Sequence, residues 1–423
     1  MLKFRKVAAL FLEGEWMYDD IVKEGIALMT VKNAQIERRI QMRYEAPWMA
    51  LGGAQRVGTS CYFLRFGDAN ILLDAGGSVH HGLMEGPRFS ELLGSPYLES
   101  MKQITHIFIS HAHNDHVSAL ISILEEAPHA QVYMTDMTWK LASMQLGKRR
   151  RAKDSAGDAS DLLRQKQLDR VTRVSFMQTM NCGGFRATFL PAGHIPGAMM
   201  VLMDDGHRKI LYTGDYSVED TSLTGACYVP EDIRIDTMIL CALHAKHPFY
   251  TRNANDLARA IQRTFQTVRE KNLNVLCKMG QLSKGVELLV AMNAINKARV
   301  PIRIGPSVMD MVELLEGSGC QILTADNYDG RAPSPREPYI YITSEDEMPL
   351  GIRHIEQRID FSLHDDFEGM KQLLKKVNPR QAILVHCAPP QSPLDGTIEQ
   401  VILQDPDCQT QFVFPEEGMA YLI

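Results

Sequence analysis

The chain has 423 residues, 45% of them apolar and 23% charged, with 45 basic against 51 acidic side chains and a formal charge of −6. That length allows two or three domains with sizeable cores, and the composition is that of an ordinary globular protein. The acidic balance excludes a global electrostatic pull toward nucleic acid, so any such binding must use a local basic patch.

Residues 1 to 48 carry mixed charge and no interpretable motif. The apolar stretch from Val7 to Leu12 is cut short by Glu13 and Glu15, without a small-residue cleavage site, which reads against a signal peptide. Nowhere do 18 apolar residues run together, so no membrane-spanning helix is expected. The eight cysteines (Cys61, Cys182, Cys227, Cys241, Cys277, Cys320, Cys387, Cys408) are scattered and form no C-x-x-C pair. That pattern is neither a disulfide scaffold nor a zinc knuckle, and it suits a reducing cytoplasm.

From Leu51 the pattern is α/β. Ser60 to Phe66 and Ala69 to Leu73 predict two strands joined at Gly67-Asp68, the second ending in Asp74-Ala75-Gly76-Gly77. The apolar run Ile104 to Ile109 predicts a buried strand, and the loop at its end carries Ser110-His111-Ala112-His113-Asn114-Asp115-His116. Three imidazoles and a carboxylate at this spacing cannot all face one way, but they can split into a His/His pair and an Asp/His pair. Two such pairs can face two adjacent metal ions, and nitrogen plus carboxylate oxygen is a donor mix that suits zinc. A helix is expected over Val117 to Glu126, a strand over Val132 to Thr135 and a helix over Thr138 to Leu146.

Two strand-and-loop units follow. Ala187 to Ala192 leads into Gly193-His194, and Lys209 to Tyr212 leads into Thr213-Gly214-Asp215. Alone, His194 could cap a loop and Asp215 could open a turn. Beside the histidine-rich loop they supply missing members of a two-metal site: His194 completes a three-His set with His111 and His113, and Asp215 can bridge both ions. Beyond Ser217 the chain alternates helix (Asp256 to Arg269), strand (Asn274 to Lys278), helix (Glu287 to Ala298) and an extended piece (Pro301 to Gly305), which predicts a second α/β unit with a parallel sheet. The proline-rich stretch Asp329 to Pro338 is its expected exit. A helix running to Val377 and a strand from Ala382 to His386 then leave His364 and His386 at loop positions.

This order of motifs resembles the metallo-β-lactamase superfamily, and within it the β-CASP nucleases, over roughly residues 50 to 423. Leu51 to Gly58 looks like the family's opening segment, Asp74 matches its first motif, His111 to His116 the second, His194 the third and Asp215 the fourth. Ser362-Leu363-His364-Asp365-Asp366 and Ile383-Leu384-Val385-His386 resemble the two late motifs of the β-CASP subgroup. The resemblance implies an α/β fold: an αββα sandwich interrupted by an inserted β-CASP cap domain. The expected organisation is an extension over 1–48, the first part of the sandwich over 49–217, the cap over 218–350 and the closing part over 351–423. It further implies two zinc ions, with His386 joining Asp115, His116 and the bridging Asp215 on the second. His364 would be the general acid, Asp74 an orienting residue, and Asp115 would belong to the catalytic group. A histidine at the position of His386 goes with RNA-processing members.

One position departs from the family. Its carboxylate behind the late-motif histidine is replaced here, on the strand Asp236 to His244, by Cys241. A neutral thiol cannot raise an imidazolium pKa as a carboxylate does, and Asp360, Asp365, Asp366 or His244 are the candidates to substitute. For phosphate contacts the visible cations are Lys148, Arg149, Arg150 and Arg151, with Lys284 in the inserted part. The cluster at 148–151 reads equally as a solvated loop after a helix. The leading expectation is a zinc-dependent ribonuclease on single-stranded RNA, cytoplasmic, with a protein partner or a second copy and no membrane. Two rivals stand beside it: a metal-binding but catalytically weak scaffold of an RNA-processing or defence complex, and a metallo-hydrolase of a small ester or cyclic nucleotide.

Overall fold

Two seven-stranded sheets face one another, and continuous apolar strands explain why both of their faces are covered. The computed structural model describes residues 46–80, 83–151, 170–246, 254–280, 282–323, 337–344, 353–387 and 410–423. The expected extension therefore lies, up to residue 45, outside the described residues, as does most of the proline-rich exit. The first sheet contains β1 (Pro47–Gly52), β2 (Cys61–Phe66), β3 (Ala69–Leu73), β6 (His106–Phe108), β7 (Gln131–Thr135) and β8 (Thr172–Val174), with β20 (Ala420–Leu422) beside β1. β4 (Ser78–His80) and β5 (Leu83–Glu85) form a separate small hairpin.

The second sheet runs β19 (Gln411–Val413), β18 (Gln381–Val385), β13 (Thr237–Cys241), β12 (Lys209–Tyr212), β11 (Met199–Asp204), β10 (Arg186–Pro191) and β9 (Thr179–Asn181). Aromatic rings fill the space between the sheets. Tyr62 of β2 meets Tyr212 of β12 at 5.9 Å between centroids, Phe108 of β6 meets Phe189 of β10 at 6.2 Å, and Phe66 meets Phe185 at 5.7 Å. Such tilted and edge-on ring pairs are favourable beyond the area they bury. On the outer side of the first sheet, Leu120, Ile123 and Leu124 of a helix pack with Leu72 and Ile107 in one core. On the outer side of the second, Phe367, Met370, Leu373 and Leu374 pack with Met238, Leu240 and Leu384. The result is the expected αββα layering.

Several element boundaries differ from the sequence reading. The expected helix from Val117 begins earlier and is broken: α1 (Phe89–Leu93) is followed by α2 (Asn114–Val117) and, after Ser118-Ala119, by α3 (Leu120–Glu126). Asp115 and His116 therefore lie on a helical turn, whereas His111 and His113 lie on the preceding loop. The helix expected over 138–146 is longer, α4 (Asp136–Arg151), so the backbone of the basic cluster continues the helix instead of forming a loop. The side chains of Lys148, Arg149, Arg150 and Arg151 lie outside what is described.

The insertion contains α5 (Ala254–Lys271), β14 (Val275–Lys278), α6 (Lys284–Ile295), β15 (Ile302–Ile304), α7 (Pro306–Glu316), β16 (Ile340–Thr343) and β17 (Ile355–Glu356). Its four strands are all parallel in the order β15-β16-β14-β17, the expected parallel sheet of the cap. Two strands fall outside the expected boundaries. β13 lies past residue 217 yet pairs in parallel with β12 and β18, because Thr237 to Cys241 is buried throughout and belongs in a sheet covered on both faces. β17 lies past residue 350 yet pairs with β14 in the cap. The chain then re-enters the sandwich through α8 (Phe367–Val377), whose first turn is capped by Asp366 accepting from the Gly369 amide at 2.9 Å. Among the described residues, no helix is long and apolar enough to cross a membrane.

Candidate metal centre

Strand ends of both sheets deliver the site, and two backbones there take conformations most residues avoid. Asp74, just past β3, has φ +62°, and His386, just past β18, has φ +56°. Left-handed backbone at non-glycine residues is uncommon, is more frequent for Asp and His, and concentrates where function constrains the chain. His386 is held there by its amide donating to the Gly53 carbonyl at 2.7 Å, followed by Cys387 to Ala54 at 3.1 Å. The segment Leu51 to Gly58 thus fastens the end of β18. Gly76 has a different reason to be glycine: a Cβ there would fall 1.7 Å from the Asp115 carbonyl oxygen.

The side chains that the sequence singles out converge in two adjoining groups. His111, His113, His194 and Asp215 form one and Asp115, His116 and His386 the other, each with its ligand atoms within 4.8 Å of one another. In the first, His113 Nδ1 lies 3.0 Å from His111 Nε2 and 3.2 Å from His194 Nε2. In the second, Asp115 Oδ2 lies 3.9 Å from both His116 Nε2 and His386 Nε2. Asp215 Oδ2 joins the groups, at 3.6 Å from His111 Nε2, 3.7 Å from His194 Nε2 and 3.4 Å from His116 Nε2. The split follows the backbone: His111 and His113 project from the loop, whereas Asp115 and His116 project from the helical turn of α2.

Outward-facing hydrogen bonds set the ring orientations. Asp74 Oδ2 lies 2.6 Å from His116 Nδ1 and also accepts from the hydroxyls of Ser110 and Tyr212, while Oδ1 accepts from the Ser110 amide at 2.6 Å. Ser110 Oγ in turn lies 3.0 Å from His111 Nδ1. His194 Nδ1 lies 3.0 Å from the Leu363 carbonyl, and Ser60 Oγ lies 3.1 Å from His386 Nδ1. Each of these four rings has one nitrogen tied away and the other turned inward, the arrangement that orients metal-binding imidazoles. Ser60, Ser110, Tyr212 and the Leu363 carbonyl were not legible in the sequence. Only Ser110, adjacent to the histidine-rich loop, carried a positional signal.

Electrostatics agree with a site built for cations. Burial drives His113 down to about 3, with the neighbouring His194 adding to the effect. Burial likewise pushes His111, His194 and His364 down. His116 goes the other way: burial opposes its charge, but Asp215, Asp74 and Asp115 together hold it well above its ordinary value. Asp215 Oδ1 and His113 Nε2 are buried without a hydrogen-bond partner. Neutral imidazoles with converging lone pairs and an orphaned carboxylate oxygen are costly unless a cation satisfies them. The donor set therefore fits bound metal cations.

His364 approaches from the start of the closing segment, its Nδ1 3.6 Å from Asp215 Oδ2 and without a hydrogen bond. Cys241 lies in the same cluster, its sulfur within 4.8 Å of the ligand atoms of Asp215 and His364. The three candidate carboxylates near His364 in sequence are engaged elsewhere. Asp360 pairs with Arg358 at 2.7 Å, Asp365 accepts from the Val218 amide at 2.8 Å, and Asp366 caps α8. Lys284 opens α6, with Nζ 4.9 Å from the centre of the Phe361 ring.

Comparison with known proteins agrees with this geometry. The profile of the metallo-β-lactamase superfamily matches residues 54–264. The chain belongs to the metallo-β-lactamase superfamily. Similar members include endoribonuclease YSH1 of Candida albicans, 23% identical over 80% of this chain and 48% of that protein. Another is cleavage and polyadenylation specificity factor subunit 3-I of Arabidopsis thaliana, 31% identical over 43% of this chain and 26% of that protein. The chain thus spans about half the length of the first and about a quarter of the second. A crystal structure of a protein of unknown function from Enterococcus faecalis V583 shares the fold, with a TM-score of 0.59 and 14% identity over 90% of this chain and 100% of that one. Members with this sandwich and an inserted parallel cap make up the β-CASP group, to which the architecture assigns the chain.

Proposed function

We propose that the chain is a zinc-dependent phosphodiester hydrolase that cuts single-stranded RNA. The observation that carries this reading is the shared carboxylate, Asp215, whose Oδ2 reaches three imidazole nitrogens from both donor groups within 3.7 Å. His111, His113 and His194 would hold one ion, Asp115, His116 and His386 the other, with Asp215 common to both. Bound divalent ions supply Lewis acidity there, polarising a phosphoryl oxygen and providing a hydroxide nucleophile near neutral pH.

This chain's own residues do the rest. Asp74 fixes the ring of His116 directly and that of His111 through Ser110, so that only their Nε2 atoms face the site. His364 is the proposed proton donor to the departing 3′ oxygen, a role for which its Nδ1 has no competing hydrogen bond. The family's RNA-processing relatives, a named endoribonuclease among them, support RNA as the polymer. The last turn of α4, with Lys148, Arg149, Arg150 and Arg151, and the head of α6, with Lys284, are the proposed phosphate contacts. The Arabidopsis relative is named as a subunit, and a protein partner or a second copy of this chain is proposed to supply sequence preference. Seven described cysteines, all free, support a cytoplasmic setting.

One observation favours a rival. With Cys241 where the family places a carboxylate, the protein would bind ions yet cut slowly, as a scaffold would. The test is direct: zinc-loaded protein is given labelled single-stranded RNA and DNA beside a His116→Ala control. Cleavage of RNA by the first and not the second supports the reading. Absence of cleavage of either polymer by a protein that retains its zinc overturns it.

A further inference from the structure

Among the described residues, a third group of donors lies beside the first two. Asp215, Cys241 and His364 bring a carboxylate oxygen, a thiol sulfur and an imidazole nitrogen within 4.8 Å of one another. Neighbouring strand ends build this group. β13 runs parallel between β12 and β18, so its last residue, Cys241, emerges next to the loop after β12 that carries Asp215. The Cys241 amide donates to Thr213 Oγ1 at 3.0 Å and ties the two strand ends together. His364 closes the group from the segment before α8, where its amide donates to Ser362 Oγ at 3.1 Å. Its ring centre stands 4.6 Å from that of His194 and 5.8 Å from that of His386, so it borders both of the other groups.

Two of these side chains carry unsatisfied atoms. Asp215 is only 1% exposed, and its Oδ1 is buried without a hydrogen bond while Oδ2 already faces four imidazoles within 3.7 Å. The carboxylate thus has an oxygen left over after joining the first two groups. His364 Nδ1 is likewise buried without a hydrogen bond, 3.6 Å from Asp215 Oδ2. Such atoms beside a thiol are costly unless a cation takes their lone pairs. Sulfur also sets this group apart. Thiolate is a soft donor that selects thiophilic ions, zinc among them, whereas the other two groups offer nitrogen and oxygen alone. The third site is the weakest, because it has three donors, shares Asp215 and places its ion close to two others that repel it. Purified protein therefore keeps two ions, and the third binds only from added metal.

We propose that Asp215, Cys241 and His364 form a third, low-affinity site for a thiophilic divalent cation, and that filling it inhibits the enzyme. Binding forms a sulfur–metal bond as the Cys241 proton leaves to solvent, and it occupies the His364 nitrogen assigned to proton transfer. The inhibition rests on the ribonuclease reading, whereas the site itself does not.

Cobalt(II) reports the sulfur directly, because a thiolate ligand gives an intense near-ultraviolet charge-transfer band that nitrogen and oxygen donors lack. The metal-free full chain is titrated with cobalt chloride. Two equivalents are expected to bind without this band, and a third to raise it. Cys241→Ser should lose the band and keep the first two equivalents. His364→Ala should move its onset to higher cobalt, and it decides the matter if thermal melting shows the serine variant unfolded. No band in the wild type, a band from the first equivalent, a band that persists in Cys241→Ser, or an unmoved onset in His364→Ala overturns the proposal. Zinc added beyond two equivalents should slow RNA cleavage by the wild type, and slow Cys241→Ser only at higher zinc. No slowing, or equal sensitivity of the two, overturns the inhibitory role. If RNA is not cut at all, the ribonuclease reading fails by itself, and the cobalt titration still decides the site.

Discussion

Asp74 and His116 lie 42 positions apart in the chain, yet Asp74 Oδ2 sits 2.6 Å from His116 Nδ1. The carboxylate is fully buried and takes four donors from Ser110, His116 and Tyr212, so it is a fixed anchor and not a mobile base. Asp74→Asn keeps the shape but turns one acceptor into a donor, against a ring that must itself donate. The expected result is a loss of about 10- to 100-fold in zinc affinity, measured by competition with a chromogenic chelator. Affinity equal to the wild type would show that the pair does not orient His116.

Gly76→Ala places a Cβ on the Asp115 carbonyl, where there is no room for it. The metal loop must move, at a cost of about 1–3 kcal/mol in stability. Thermal melting should show the loss, and zinc titration should show the Asp115–His116–His386 group weakened more than the three-His group.

The metal-free protein should lose stability as pH falls from about 6.5 toward 5. Burial lowers His111, His113, His194 and His364, so the unfolded chain binds more protons than the folded one in that window. Stability therefore rises with pH there, by about 1.4 kcal/mol per pH unit for each net proton. His116 has the opposite sign: its raised folded pKa contributes stability that is present below about 6.5 and lost as pH climbs through the folded value. Denaturant midpoints in the presence of chelator check the first slope between pH 5 and about 6.5 and the second from about 6.5 upward.

Much of this site was legible in the chain because its donors cluster at strand ends. His111, His113, Asp115 and His116 are within six residues of one another, and His194, Asp215 and His386 each follow an apolar strand within a few positions. The rest was not, because it depends on tertiary placement. Nothing near Ser60 announces that its hydroxyl would reach His386, 326 positions later. The place of β13 was hidden for a similar reason: Thr237 to Cys241 reads as an ordinary buried strand, and only its pairing with β12 and β18 puts it in the sandwich.

Glu287, buried on α6 of the cap, accepts from Thr221 Oγ1 at 3.0 Å and from the Ser222 amide at 2.8 Å. The same loop returns to the metal centre through Thr224 Oγ1, which donates to the Gly193 carbonyl at 2.8 Å, next to His194. Glu287→Ala removes charge-assisted bonds worth about 1.5–3 kcal/mol each at most. A lower melting temperature with faster proteolysis in the 217–227 loop is expected, and unchanged proteolysis would contradict the tie.

Cys241→Asp restores a carboxylate beside His364. An anion there favours the imidazolium, so the limb of the kcat profile that falls with rising pH should move to higher pH. A profile that scales in height without moving would show that Cys241 does not act through His364.

The central claim is that seven side chains hold two ions in distinguishable groups. Elemental analysis of purified protein, with and without His386→Ala, tests it most directly. Two zinc ions per wild-type chain are expected, with one retained by the variant on His111, His113 and His194. A single ion in the wild type, or the loss of all metal from the variant, would contradict the two-group site.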